Sequence, residues 1–376
     1  MKVSGLTKGS AVTLVVATAL VVGVASGAAL RAIRSSPPGE DPARVLADPS
    51  PSGAPRSTGT APALTLPDDA LTLRAAFRDG RLYVLARIRL EQNLSLFVIE
   101  GRTARVLSKT RLPLEEGGQW TGLAVDEDGT AWAASRSSIV RVARQRITEL
   151  TPPPAQGRVG GPPSPGGLPP IEDGQITAVA IAQGRVLFGR AGFAEVTVLD
   201  PATLAFTRIA TPSDVRDLAP VSGGAILTTG RGQGGTPSGT VALVDVGASL
   251  VRALPLAANG IASNGSRFVA ATPTAMALLD RSGVGLSTGP ASGYDLDRLA
   301  LTSGDLVIAR VGGVQPQVAM IEPSGRESRR FTYSTVLDKK GDAMVPFASR
   351  FSFVVIGDRD EAWFGLVGRP DVYRLP

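Results

Sequence analysis

One short pattern returns along most of this chain: an apolar strand, a turn built from Gly, Asp or Asn, and a second apolar strand. GQWTGLAVDEDGTAWAAS (Gly118–Ser135) aligns with GQITAVAIAQGRVLFGRA (Gly174–Ala191), which has one turn residue fewer. Related two-strand units are LRAAFRDGRLYVLA (Leu73–Ala86), VRDLAPVSGGAILTTG (Val215–Gly230), GIASNGSRFVAAT (Gly260–Thr272), LDRLALTSGDLVIAR (Leu296–Arg310) and FSFVVIGDRDEAWFGL (Phe351–Leu366). That makes seven units, with alternating apolar runs and no long helical period between them.

A second hairpin follows most of them, as in LFVIEGRTARVLS, VTVLDPATLAFTRI, VALVDVGASLVRAL, MALLDRSGVGLST and VAMIEPSGRESRRF. Each first strand ends in an acid: Glu100, Asp200, Asp245, Asp280 or Glu322. A short acidic side chain there accepts turn N–H groups, so these five carboxylates read as structural rather than catalytic. Two hairpins per unit make four antiparallel strands, and units recur every 40–55 residues or so, the period of a β-propeller. The expectation is an all-β, seven-bladed propeller, with six or eight blades as alternatives.

Two stretches resemble known repeats. VTVLDPATLAFTRIATP (Val196–Pro212) is similar to the strand–DPAT–strand hairpin of YVTN and quinoprotein-type propellers. LAVDEDGTAWAASRSSIVRV (Leu123–Val142) resembles the D-x-x-G-x-x-W repeats of two-component-regulator and Asp-box propellers, with Glu127 standing where the box's aspartate would fall. The resemblance implies a fold and no particular activity. Trp132 and Trp363 occupy equivalent second-strand positions, which suits packing between blades.

The last unit runs out at Pro376 one strand short of four, while ALTLP (Ala63–Pro67) is a short strand without a hairpin partner. Pairing ALTLP with Val372–Leu375 would complete the seventh blade and cover both open edges.

Ahead of the repeats lies Ala11–Leu30, twenty residues without a charge, preceded by Lys2 and Lys8. As a helix it would cover about 30 Å, a bilayer core. Residues 1–34 are therefore expected to be a signal anchor that puts the body on the extracytoplasmic side. Cleavage near Ala25, Gly27 or Ala29, giving a secreted protein, is the alternative. Residues 35–62 carry seven prolines and read as a disordered linker, leaving 63–376 as the propeller. A second Pro/Gly island, Thr151–Asp173, reads as a protruding loop that can be shortened at little cost to stability.

The chain has no His and no Cys. Imidazole-based catalysis, disulfides and thiolate metal sites are excluded. The familiar His-dependent propeller enzymes are excluded with them. Of the 39 Lys plus Arg and 33 Asp plus Glu, six and three precede residue 61. The body is thus nearly neutral and has no dense basic stripe, so nucleic-acid binding is not expected. Gly-rich RGQGGTPSG (Arg231–Gly239) has neither Lys nor a following helix and reads as a connector.

Loops that feed the innermost strands form the default ligand face of such a fold. Here they supply Arg74, Trp120, Asp214, Arg216, Asp217, Tyr294, Asp295, Asp297, Arg298 and Arg350. Asp295-x-Asp297 falls short of the six to eight oxygens calcium takes, and Arg298 beside it suggests a local ion pair. No catalytic set and no cofactor is expected. The function read from these residues is a monomeric, non-catalytic binding or scaffold module for a protein or cell-envelope polymer. The rival reading is a carboxylate- and divalent-cation-dependent, lactonase-like hydrolase.

Overall fold

The computed structural model describes residues 58–88, 91, 93–115, 121–156, 174–229, 239–312, 316–333 and 350–376. The candidate span Ala11–Leu30, Trp120 and the connector 231–238 lie outside the described residues, as does most of the Thr151–Asp173 island. Among the described residues no helix is long and apolar enough to cross a membrane.

Seven sheets form seven blades. Their innermost strands are Leu71–Arg78, Thr121–Val125, Ile176–Ala182, Val215–Val221, Gly260–Ser263, Tyr294–Leu301 and Phe351–Ile356, for blades 1 to 7 in turn. Each inner strand touches the next, and blade 7 touches blade 1, so the ring closes. Alternation along these strands explains the arrangement. A strand buried on both faces reads as a near-continuous apolar run, and the second strands AWAAS, RVLFGR and GAILTT are largely that, with Trp132 and Phe188 as their large members.

The apolar core is divided among the blade interfaces. Seven clusters of buried side chains are present among the described residues, one at each junction from blades 1–2 round to blades 7–1. Trp132 is fully buried at the junction with blade 3, and Trp363 at the junction with blade 1. Each indole also has an arginine over its face: Arg141 at 5.5 Å and Arg374 at 5.3 Å from the ring centroid.

Closure follows the expected strand exchange. Leu64 and Thr65 pair antiparallel with Val372 and Asp371 as the fourth strand of blade 7. Ala63 and Leu66 donate their N–H groups to Val372 O and Pro370 O, and Thr65 Oγ1 donates to Asp371 Oδ1 at 2.7 Å. One boundary needs correction. Thr58–Thr60, inside the segment expected to be a linker, form a fifth strand on blade 6, parallel to Glu327–Tyr333. The chain crosses from the edge of blade 6 to the edge of blade 7 before it starts blade 1.

The acids that end the third strands work as expected for the three aspartates. Asp200 Oδ1 accepts Ala202 N–H (2.9 Å), Asp245 Oδ1 accepts Ala248 N–H (3.0 Å), and Asp280 Oδ1 accepts Ser282 and Val284 N–H (2.8 and 2.9 Å). The Ala202 N–H foremost holds the Asp200 carboxyl below the usual range, and the Ser282 hydroxyl (2.6 Å), with the turn N–H groups, does so for Asp280. The two glutamates, one carbon longer, take side-chain donors instead: Thr103 for Glu100 and Arg326 for Glu322. In the Asp-box-like turn it is Asp126, not Glu127, that organises the loop. Asp126 accepts Thr130 N–H (2.8 Å) and the Trp132 indole N–H (3.2 Å).

The inner hairpin turns define one face of the disc, the turn face, and they tie neighbouring blades together. Gly80 N–H donates to Asp358 (2.6 Å), Ser303 N–H to Asp360 (2.9 Å), Ser222 N–H to Gly265 O (2.6 Å) and Gln183 Nε2 to Gly223 O (2.8 Å). The opposite face, where loops feed the inner strands, holds the mouth of the channel.

Candidate functional site

The inner strands do not run as plain ladders. Register shifts skip Leu73 in blade 1, Thr177 in blade 3, Arg216 in blade 4 and Ser352 in blade 7. Blade 6 leaves the ladder between Asp295 and Ala300. A bulge re-aims the residue that follows it. Here the residues that follow are Arg74 and Asp217, while Arg298 lies in the irregular stretch of blade 6. All three line a lumen of about 180 Å³ at the middle of the ring, together with Thr121, Thr177, Ser352 and Asp297. Close backbone approach makes room for it. A Cβ on Gly260 would lie 1.9 Å from Leu296 O, and one on Gly122 would lie 2.4 Å from a Val179 methyl.

The lumen's electrostatics follow from enclosure. Arg74 and Asp217 are half-exposed to the lumen yet surrounded by protein, so both lose bulk hydration. Desolvation, reinforced by the positive charge of Arg298, holds the Arg74 guanidinium well below its ordinary value; Asp217 opposes this. Desolvation pushes the Asp217 carboxyl up, against the pull of Arg298 and Arg74 and its bond from Leu218 N–H. Arg74 Nη1 donates to Leu73 O (2.8 Å) and to Ser352 O (3.4 Å). Arg298 makes no side-chain hydrogen bond or ion pair to a described residue.

The other expected residues are placed elsewhere. Arg216, in its bulge, pairs with buried Asp214 at 2.9 Å. Asp295 is taken by Arg310, whose Nε and Nη2 donate to the same carboxylate oxygen at 3.2 and 3.1 Å. The local ion-pair cluster expected of Asp295-x-Asp297 with Arg298 is therefore corrected: Asp295 pairs across the strands with Arg310 instead. Tyr294 begins the inner strand rather than sitting in a loop, and its hydroxyl donates to Glu327 Oε2 at 3.0 Å. Arg350 is exposed, and its carbonyl accepts Val367 N–H at 2.9 Å.

Two features escape sequence reasoning. The first is a buried ionic anchor on blade 3. Glu195 and Arg190 are 4% and 3% exposed, with 3.9 Å between them, and Arg208 lies 3.6 Å from Glu195. Arg190 donates to Pro153 O (2.9 Å), Arg208 to Pro154 O, and Gln156 N–H to Glu195 (3.2 Å). The start of the Pro/Gly island is thus part of the fold, which corrects its reading as a wholly protruding loop. The second is a groove of about 250 Å³ on the turn face of blades 4 and 5. Leu243, Val244 and Leu250 supply its apolar wall, and Arg252 and Arg281 its charge. Leu250 is 60% exposed, and on the outer hairpin of blade 5, the hairpin that carries Arg281, Val284 and Leu286 are 60% and 49% exposed.

Among the described residues no group of three or more His, Cys, Asp or Glu is close enough to hold a metal ion. No protein-family model and no curated protein matches the chain. Solved structures do. The RRP9 WD40 repeats align with a TM-score of 0.60 at 14% identity, covering 86% of this chain and 99% of that one. Hydrazine synthase of Kuenenia stuttgartiensis aligns at 0.56 and 11%, covering 86% and 99%. U3-55K aligns at 0.56 and 13%, covering 83% and 100%. What is shared is the fold. At such identities a seven-bladed propeller is common ground between proteins of unrelated work.

Proposed function

We propose that this chain is a non-catalytic binding propeller, tethered to a membrane through Ala11–Leu30, that holds a partner protein on the extracytoplasmic side. The observation that carries the reading is the apolar groove with exposed rim on the turn face of blades 4 and 5. Clustered exposed apolar side chains mark protein contact surfaces, whereas isolated ones do not. A protein interface covers roughly 800 Å² on each partner. The central lumen, at about 180 Å³, is too small to be one.

The partner segment that fits presents apolar side chains to Leu250 and Val284 and carboxylates to Arg252 and Arg281. Asp245 also lines the groove, but its carboxylate is engaged by the Ala248 N–H of its own turn. The hydrolase reading finds less support. Asp217, the best-enclosed carboxylate of the lumen, shares it with two guanidiniums, and those repel a divalent cation.

A photo-crosslinking residue at Val284 of the full chain, activated in intact cells, tests the reading. One discrete protein adduct is expected, lost with Arg281→Glu and absent when the crosslinker replaces Leu107 on blade 1. An adduct that ignores Arg281→Glu, a polysaccharide adduct, or none would overturn it. The tether has its own test: without residues 1–34 the body is expected to leave the membrane fraction as a soluble monomer, and retention after high-salt washing would contradict it.

A further inference from the structure

We propose that the central lumen seats a small monocarboxylate, its two oxygens bridging the Arg74 and Arg298 guanidiniums beside Asp217. The site is separate from the groove on the turn face, and it rests on different residues.

Three observations converge. Charge comes first: among the described residues the enclosed groups are two guanidiniums, Arg74 and Arg298, and one carboxylate, Asp217, an excess of one positive charge. Asp297 also lines the lumen, but it is exposed at the mouth, where solvent and salt weaken its field. A monoanion neutralises the excess, while a phosphate dianion would leave negative charge beside Asp217.

Geometry is the second. Arg74 follows a bulge in blade 1, Arg298 lies in the irregular stretch of blade 6, and Asp217 follows a bulge in blade 4. Three strands from different parts of the ring abandon regular pairing where these side chains meet. Planar guanidinium forks match the two oxygens of a carboxylate. Arg74 Nη1 donates to the Leu73 and Ser352 carbonyls, which fixes its head in place. Arg298 has no hydrogen bond to a described residue to give up.

Size is the third. A lumen of about 180 Å³ admits a compact acid of a few heavy atoms and excludes a peptide chain. The enclosed space desolvates Arg74, and the like charge of Arg298 adds to that cost, so the Arg74 guanidinium holds its proton less tightly than usual. An anion between them removes that repulsion. A purely structural Arg–Asp–Arg plug would instead be complete without a ligand.

Titration calorimetry on the full-length chain in detergent decides between the two, with acetate and inorganic phosphate as probes at low ionic strength. Acetate is expected to bind at one site per chain and more tightly than phosphate. Arg298→Gln should weaken acetate about tenfold or more, the loss of a charge-assisted hydrogen bond. Asp217→Asn, which removes the competing carboxylate, should tighten it. Arg74 also holds the Leu73 and Ser352 carbonyls, so the test uses the other two positions, with unchanged circular dichroism as the check on folding. No heat with acetate, an unchanged affinity in Arg298→Gln, or tighter binding of phosphate would overturn the assignment.

Discussion

Blades 6 and 7 and blades 4 and 5 are built from the same hairpins but finished differently. Where the first and last strands of the propeller meet, each outer edge gains a further strand. Leu64–Thr65 complete blade 7, and Thr58–Thr60 add a parallel strand to blade 6. The junction between those blades is aromatic: Phe364 stacks on Tyr373 at 4.9 Å, with Phe351 and Tyr333 at 5.1 and 5.4 Å from Phe364. Burial raises the Tyr333 hydroxyl to about 12. Across the ring, the junction of blades 4 and 5 is aliphatic apart from Phe268, and the outer strand of blade 5, Gly285–Pro290, is exposed or half-buried throughout. The contrast teaches that closure and recognition are assigned to different arcs of the ring. The seam hides its edges; the far side leaves apolar side chains and a bare strand in solvent.

Breaking the seam should have the largest effect. Deleting residues 58–67 removes both added strands and opens the ring, and thermal denaturation is expected to drop by more than about 10 °C. An unchanged melting temperature would mean that the ring is closed by other contacts.

Next comes the ionic anchor of blade 3. Glu195→Ala strands the buried Arg190 and is expected to cost about 3–5 kcal/mol, read from chemical denaturation. Glu195→Gln, which keeps an acceptor for Gln156 N–H, should cost less.

A pH series tests the lumen. Because the folded Asp217 pKa is raised above its unfolded value near 3.8, its contribution to stability is fullest below about pH 4 and is lost as pH rises through the folded value. The melting temperature of the natural chain, relative to Asp217→Asn, should therefore fall between pH 4 and neutrality. A difference that grows with pH would reverse the sign assigned to desolvation.

The smallest effect belongs to the open side. Leu250→Ser and Val284→Ser should each shift stability by no more than about 0.5 kcal/mol while reducing partner crosslinking. A large loss of stability would show these residues to be core.

The blade count and the seam were legible in sequence because both rest on local signals. Alternation, turn acids and an orphaned strand at each end are visible within a dozen residues. The tryptophans were legible for the same reason, since Trp132 and Trp363 stand at matching repeat positions. Charge pairing was not legible. Asp295 chooses Arg310 rather than Arg298 because an antiparallel register sets them side by side, and residue spacing does not reveal register. Nor does periodicity reveal that Arg190 donates to the Pro153 carbonyl, or that Glu195 accepts the Gln156 N–H, some forty residues earlier. The lumen lay between these cases. Arg74, Asp217 and Arg298 were all candidates, but only the bulges of the inner strands separate them from Tyr294, Asp295, Arg216 and Arg350.

Amide hydrogen exchange, read by mass spectrometry on the full-length chain, tests the contrast between the two arcs most directly. Covered edges keep outward N–H groups protected, and bare edges release them by local fraying. The account predicts slow exchange at the covered residues 331–333 and 371–372, comparable to the inner strands, and exchange at least tenfold faster in Gly285–Pro290. Equal rates in the three segments, or faster exchange at the seam, would contradict it.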